Sequence, residues 1–166
     1  AKDVIGGLRN MGVEAIAVTL LHSFMNPAHE RRIEALIREQ DPAILTSISS
    51  EVSPEIREHP RTSTTLANAY VRPLMRTYLE LLSRRIRDEG IRTELYIMLS
   101  NGGIATVETA ESFPIRLIES GPAAGAMAAA HIGNQLALKD LISFDMGGTT
   151  AKTCFIENGR PTTVTE

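Results

Sequence analysis

One cysteine, Cys154, stands in 166 residues, which excludes an internal disulfide and a four-cysteine zinc site and points to a reducing compartment. Excess charge is also lacking. Lys and Arg total 17 against 20 for Asp and Glu, so no basic field exists to hold nucleic acid or acidic lipid. The longest weakly polar run, Gly121 to Leu138, is built of small residues and broken by His131, Asn134 and Gln135. A membrane span needs about twenty strongly apolar residues. Ala1-Lys2-Asp3 lacks the basic-then-apolar pattern of a secretion signal. Internal repeats, low-complexity linkers and a GxxxxGK[ST] loop are absent too. The expectation is a soluble cytoplasmic chain, with neither nucleic acid nor membrane as partner, long enough for one packed domain.

The apolar pattern that is present reads as α/β. Val13 to Leu21 is nearly all apolar and partly β-branched, as a strand buried on both faces would be. Asn26-Pro27 reads as a helix N-cap followed by proline at the first helical position. Ile33, Leu36 and Ile37 give that helix its stripe, Asp41-Pro42 ends it, and Ala43 to Ser49 forms a second strand, in the order of a parallel crossover. The longest helical stretch runs from Thr62 to Glu89, with Leu66, Tyr70, Leu74, Tyr78, Leu82 and Ile86 four apart. Pro73 should kink or split it, and Gly90 should cap it. Glu94 to Leu99 reads as a strand, Thr106 to Ser112 as a short helix. In the helix opened by Ser120, residues Gly121, Gly125, Ala129 and Gly133 leave one face bare, which suits close approach to another backbone. Asp140 to Asp145, Ala151 to Ile156 and Thr162 to Thr165 complete a strand meander whose second turn is Asn158-Gly159.

Chemistry is concentrated where the strand Ile142-Ser143-Phe144 delivers Asp145 to its end, followed by Gly147-Gly148-Thr149-Thr150 and Lys152. Such a turn can aim N–H groups and threonine hydroxyls at a phosphate. The aspartate suits the water shell of Mg²⁺, which takes one or two carboxylates plus phosphate oxygens and waters. Lys152 offers positive charge to a transferring phosphoryl group. The competing reading is an ordinary Gly-Gly hairpin turn. Asn101-Gly102-Gly103, at a strand end where α/β sheets place ligands, reads as either a functional loop or a plain tight turn. Glu119 could orient water or metal in a cleft, or simply compensate a helix dipole.

The remaining polar residues invite blander readings. Cys154 reads as a small buried hydrophobe. His22 and His29 lack the i, i+4 spacing of a helical metal pair, and His29 reads as a surface residue. His59, with Glu55, Arg57, Glu58 and Arg61, reads as a solvated loop, and Thr62 to Thr65 as helix capping.

The alanine- and glycine-rich segment Glu119 to Ala126 followed by Phe144 to Thr149 resembles the hinge helix and second phosphate hairpin of the actin, sugar-kinase and heat-shock chaperone superfamily. A closer resemblance is to the hydantoinase A/oxoprolinase family, related to ketone carboxylase subunits. It is carried by Ala17 to Phe24 with Asn26-Pro27 and His29-Glu30, Ser50 to Glu58, Arg61 to Thr65 with Asn68-Ala69-Tyr70, Ser100 to Gly103, Glu119 to Gly125, and the hairpin itself. These segments run in family order across nearly the whole chain. The resemblance implies an actin-like (ribonuclease H-like) ATPase fold, a mixed sheet flanked by helices and ending in a hairpin meander. Residues 1–137 would be the later part of lobe one, with a hinge helix at about 121–136, and residues 138–166 the first strands of lobe two. Family members carry an earlier Asp-x-Gly-Gly-Thr hairpin that this chain lacks, and only 14 residues follow Lys152. The chain is thus read as an internal segment holding half of an ATP clamp.

The resemblance further implies ATP and Mg as cofactors and a small cyclic amide, of hydantoin or 5-oxoproline type, as substrate. ATP would phosphorylate the amide carbonyl oxygen before water attacks. Asp145 would position Mg²⁺, Gly147, Gly148, Thr149 and Thr150 would line the phosphates with Asn101, Gly102 and Gly103 nearby, and Lys152 and Glu119 would assist. Alternative parents are an ATP-dependent ketone carboxylase working with a second subunit, and a non-catalytic nucleotide-binding or assembly subunit.

Overall fold

A helix that the apolar pattern did not announce, α1 (Lys2–Asn10), precedes β1 (Ala15–Val18), α2 (Ala28–Gln40) and β2 (Leu45–Ile48). The computed structural model describes residues 1–163. β1 and β2 pair in parallel, Ala15 opposite Leu45 and Val18 opposite Ile48, as the strand–helix–strand order predicts. β1 is shorter than the run Val13 to Leu21, because the chain turns at Leu21–Met25 to enter α2. Asn26 does the capping through its Oδ1, which accepts from the Ala28 N–H at 3.1 Å. Strand alternation then sorts the two faces of the pair. Ile16, Val18 and Ile48 join Ile5, Leu36, Ile37 and Ile44 in an apolar core under α1 and α2. Ser47 points to the other face.

That other face meets α4 (Glu58–Asp88), which follows a single turn, α3 (Ser49–Val52). The helix is one unbroken element across Pro73, so of the kink or split predicted there the split does not occur. It also begins earlier than expected. Glu58, His59, Pro60 and Arg61, read from sequence as a loop, form its first turns, where proline's missing N–H costs no helical bond. Thr65 is no cap: its hydroxyl donates back to the Arg61 carbonyl at 2.7 Å. Gly90, at φ 81°, closes the helix as predicted, with the Ile91 N–H donating to the Ile86 carbonyl.

The buried face of α4 is largely polar in its first half, although Ala69 and Leu79 are buried too. Arg61, Thr65 and Asn68 are fully buried, whereas Leu66, Tyr70, Leu74 and Tyr78 remain 61%, 86%, 71% and 54% exposed. Asn68 donates to Ser47 Oγ and to the Ser112 carbonyl, and accepts from the Ile115 N–H. Arg72 reaches the carbonyls of Thr46 and Glu111. These bonds tie α4 to β2 and to α5 (Val107–Ser112), the short helix predicted there. Ala1–Leu95 and Val107–Ile115 make one compact unit.

At its centre lies a buried charge network. Glu30, 0% exposed, accepts from the Leu20 N–H at 2.8 Å, the Ser49 hydroxyl at 2.7 Å and the Ser50 N–H at 2.8 Å. Arg61, also 0% exposed, donates to Ser49 Oγ, the Glu55 carbonyl and the Leu20 carbonyl. Ser49 has one proton and gives it to Glu30, so Ser23, 3.0 Å away, must donate to Ser49. Burial alone would raise the Glu30 pKa, but the hydrogen bonds from Ser49 and the Ser50 and Leu20 N–H groups outweigh it and hold the carboxyl below its ordinary 4.5. A depressed carboxyl pKa stabilises the fold fully above the ordinary value, and that contribution disappears as pH falls through the lower folded value. Thermal melts should therefore be nearly flat from neutrality down to about pH 5 and fall steeply below it. Glu30→Gln should melt lower at neutral pH and lose much of the acid dependence. An acid limb unchanged in that variant would show that other carboxyls control it.

The second unit comprises Tyr96–Thr106 and the chain from Arg116 onward. β3 (Tyr96–Met98) and β4 (Ile104–Thr106) form an antiparallel hairpin; β4 was not foreseen. A 3₁₀ turn at Pro114–Leu117 spans the junction in sequence, and α6 (Ser120–Gln135) leads to β5 (Leu141–Met146), β6 (Ala151–Glu157) and β7 (Arg160–Pro161). The last three form an antiparallel meander in the order predicted, and the parallel and antiparallel pairings lie in separate sheets. Of the strand expected over Thr162 to Thr165, Thr162 and Thr163 are not in a strand, the third strand lying instead at Arg160–Pro161, and Val164 and Thr165 lie outside the described residues. Asn158 and Gly159, at φ 51° and 75°, make the two-residue turn between β6 and β7. The Asn134 amide covers Gly159, where an added Cβ would lie 2.2 Å from its Oδ1. The bare face of α6 makes a close approach only at its end: a Cβ on Gly133 would meet Leu141 Cδ2 at 2.5 Å, while Gly121 and Gly125 face open space. Among the described residues, no helix is long and apolar enough to cross a membrane.

Candidate functional site

The β5–β6 ladder carries the predicted site at its turn end. Asp145 lies directly opposite Lys152 and Met146 opposite Ala151, so Gly147 to Thr150 form the connection. The Gly147 N–H donates to the Thr150 carbonyl at 2.9 Å and closes it. Among the described residues, the N–H groups of Gly148, Thr149 and Thr150 have no backbone acceptor. Neither Gly147 nor Gly148 takes a left-handed φ, and a Cβ on Gly148 would meet nothing within 4 Å. The fold itself therefore does not demand glycine at Gly148; it leaves the backbone open to something approaching from outside.

Alternation puts Leu141, Ser143 and Asp145 on the face that carries Ile156, Cys154 and Lys152, the face where Leu141 meets α6. The opposite face bears Ile142, Phe144, Met146 and Phe155, all exposed. Asp145 is exposed, and among the described residues its carboxylate has no hydrogen-bonding or ionic partner. Lys152, across the ladder, bonds instead to Glu119. Glu119 immediately precedes α6 at φ 64°, in the left-handed region, and makes no side-chain cap bond. Helix packing against the meander thus brings Glu119, Lys152 and Asp145 into one row of alternating charge. Cys154 is half-buried in β6, its Sγ 3.4 Å from the Phe155 carbonyl.

Asn101, Gly102 and Gly103 form the β3–β4 turn. The Gly103 N–H donates to Asn101 Oδ1 at 2.9 Å, the Gly102 N–H to the Leu99 carbonyl, and the Leu99 N–H to the Gly103 carbonyl. Gly102, at φ 82°, packs over Met127 of α6. The expectation of a strand end at a sheet crevice assumed a parallel sheet; here the loop joins antiparallel neighbours.

A shallow groove of about 450 Å³, lined by Asp140, Leu141, Ile142, Phe155, Ile156, Glu157 and Asn158, lies at the end of the β5–β6 ladder away from the Gly147 to Thr150 turn. No cluster of three or more His, Cys, Asp or Glu exists among the described residues, so nothing there forms an all-protein metal cage. An exposed lone carboxylate beside free N–H groups does fit a hydrated Mg²⁺ shared with phosphate oxygens.

The sequence model of the hydantoinase/oxoprolinase family matches residues 61–166, and that of the family's N-terminal region matches residues 1–41. The chain belongs to the hydantoinase/oxoprolinase family. Within that family, caprolactamase subunit alpha of Pseudomonas jessenii is 34% identical over 92% of the chain, which spans 22% of that protein. The 5-oxoprolinase of Saccharomyces cerevisiae is 33% identical over 96% of the chain, which spans 12% of it. The crystal structure of the ATP-dependent caprolactamase superposes with a TM-score of 0.83 at 33% identity, covering 92% of this chain and 22% of that one. A nucleotide-free acetone carboxylase, whose carboxylation is ATP-dependent, superposes at 0.79 with 29% identity over 96% of this chain and 23% of that one. The α/β class expected from the sequence therefore holds, and the chain spans under a quarter of these oxoprolinase-family relatives.

The polar residues that sequence reasoning underrated are in the first unit. Arg61, Thr65, Asn68 and Arg72 recur at spacings of four, three and four, a helical face as regular as the apolar one. That periodicity was available in the sequence, but an apolar-first reading passes over it.

Proposed function

We propose that this chain is the phosphate-turn segment of a longer ATP-dependent amidohydrolase that opens cyclic amides. Membership of a family that includes a caprolactamase and 5-oxoprolinases supports the reaction class. One observation carries the site: Asp145 stands exposed and unpartnered beside a turn with three N–H groups lacking backbone acceptors. In this reading Asp145 holds the water shell of a Mg²⁺, the Gly148 to Thr150 N–H groups and threonine hydroxyls orient phosphate oxygens, and Lys152 offsets negative charge there. Bound Mg·ATP would supply a phosphoryl group to the amide oxygen and make it a leaving group. Residues 1–137 belong to lobe one and 138–166 to lobe two of the intact protein. A second subunit completes it, as the subunit designations of the caprolactamase and carboxylase relatives suggest.

The test is ADP release by the full-length protein with its co-purifying subunit, measured with hydantoin, 5-oxoproline or caprolactam. ADP formed in step with ring-opened product is the expected result. ADP formation that requires bicarbonate and a ketone would instead assign the ketone carboxylase branch, represented by the acetone carboxylase structure. No nucleotide turnover under either condition would leave a non-catalytic binding subunit and overturn the proposal.

A further inference from the structure

Asp145 and Lys152 are direct cross-strand neighbours on one face. Side chains in that relation have Cβ atoms about 4.5–5.5 Å apart, and opposite charges there normally pair. They do not pair here. The Lys152 ammonium bonds to Glu119, 33 residues earlier in the chain, while the Asp145 carboxylate has no partner among the described residues. We infer that Glu119 is a positioning residue that draws Lys152 off Asp145 and so keeps that carboxylate open for a hydrated divalent cation. The inference rests on the assignment of Asp145 above and adds a competitor and its keeper.

Two further features support it. Glu119 sits at φ 64° and ψ 16°, a backbone region that crowds any residue with a Cβ and that glycine fills without strain. A glutamate kept there is explained by where its side chain reaches. Helix capping does not explain it, since Glu119 makes no side-chain cap bond. The packing of α6 against β5, β6 and β7 places Glu119, just ahead of the helix, within reach of Lys152. Without Glu119, the acidic residue left on the same face of the ladder, among the described residues, is Asp145.

The experiment measures how much Mg²⁺ tightens binding of a fluorescent, non-hydrolysable ATP analogue to the full-length protein, as the ratio of affinities with Mg²⁺ and with EDTA. Taking a ratio cancels any direct loss of contact between Lys152 and phosphate. In Glu119→Gly the ratio should fall by about tenfold, the effect of one close charge pair. Glu119→Gly/Lys152→Met, which removes the competitor as well, should restore it to the native value. Glycine suits the backbone at this position, so the single variant should melt no lower than the native protein. A native ratio in Glu119→Gly, or a lowered ratio that Lys152→Met fails to rescue, overturns the inference. A separate arm with Asp145→Ala checks the underlying assignment: if Mg²⁺ still tightens binding there, Asp145 is not the metal residue and the failure lies in that reading.

Discussion

Arg61→Met should destabilise the chain by about 3–5 kcal/mol, on the scale of about 1–3 kcal/mol for each buried acceptor left unsatisfied. Methionine fills much of the volume, so the loss reports charge and hydrogen bonding more than a cavity. Three acceptors would be stranded: Ser49 Oγ and the carbonyls of Leu20 and Glu55. Glu30, fully buried, would keep its own three donors but lose the cation that shares Ser49 with it. Against a typical domain stability of about 5–15 kcal/mol, that loss approaches the whole of a weak domain's margin. Urea unfolding followed by far-UV circular dichroism measures it. Arg61→Met and Glu30→Gln share Ser49, so their combined cost should fall short of the sum by about 1–3 kcal/mol. A loss under about 1 kcal/mol for Arg61→Met, the scale of an exposed pair, would show the network to be replaceable.

Asp145→Ala in the full-length protein should cut ATP-dependent ring opening by about a hundredfold or more, the scale on which a single charge-stabilising group acts. The residue is exposed and lacks a side-chain partner among the described residues, so the substitution removes no fold contact and melting should not change. Asp145→Asn separates charge from shape. If the carboxylate holds a cation's water shell, the amide should be nearly as damaging as alanine, and extra Mg²⁺ should recover part of the rate. Turnover within about threefold of native in both variants would exclude any role for this carboxylate in charge stabilisation.

Much of this structure is legible in the sequence because its elements are local. The parallel pair around α2, the cap at Gly90, the start of α6 and the Asn158-Gly159 turn each follow from a few adjacent residues. The site turn is legible for the same reason, since Asp145 to Lys152 is a single hairpin. What stays hidden is set by distant partners. Glu119 bonds to Lys152 across 33 residues, and Arg61 reaches Leu20 across 41. No local rule announces a left-handed glutamate before a helix. The polar first turns of α4 looked like a loop because charged residues normally seek water; three hydrogen bonds to Arg61 reverse that preference.

Helix α4 has a further consequence for work with this chain. Its hydrogen-bonding side faces inward, and the side shown to water is a ladder of leucine and tyrosine rising one rung per turn. Such a surface is adhesive. Hydrodynamic size measured by sedimentation should therefore rise with concentration and with salts that strengthen apolar association.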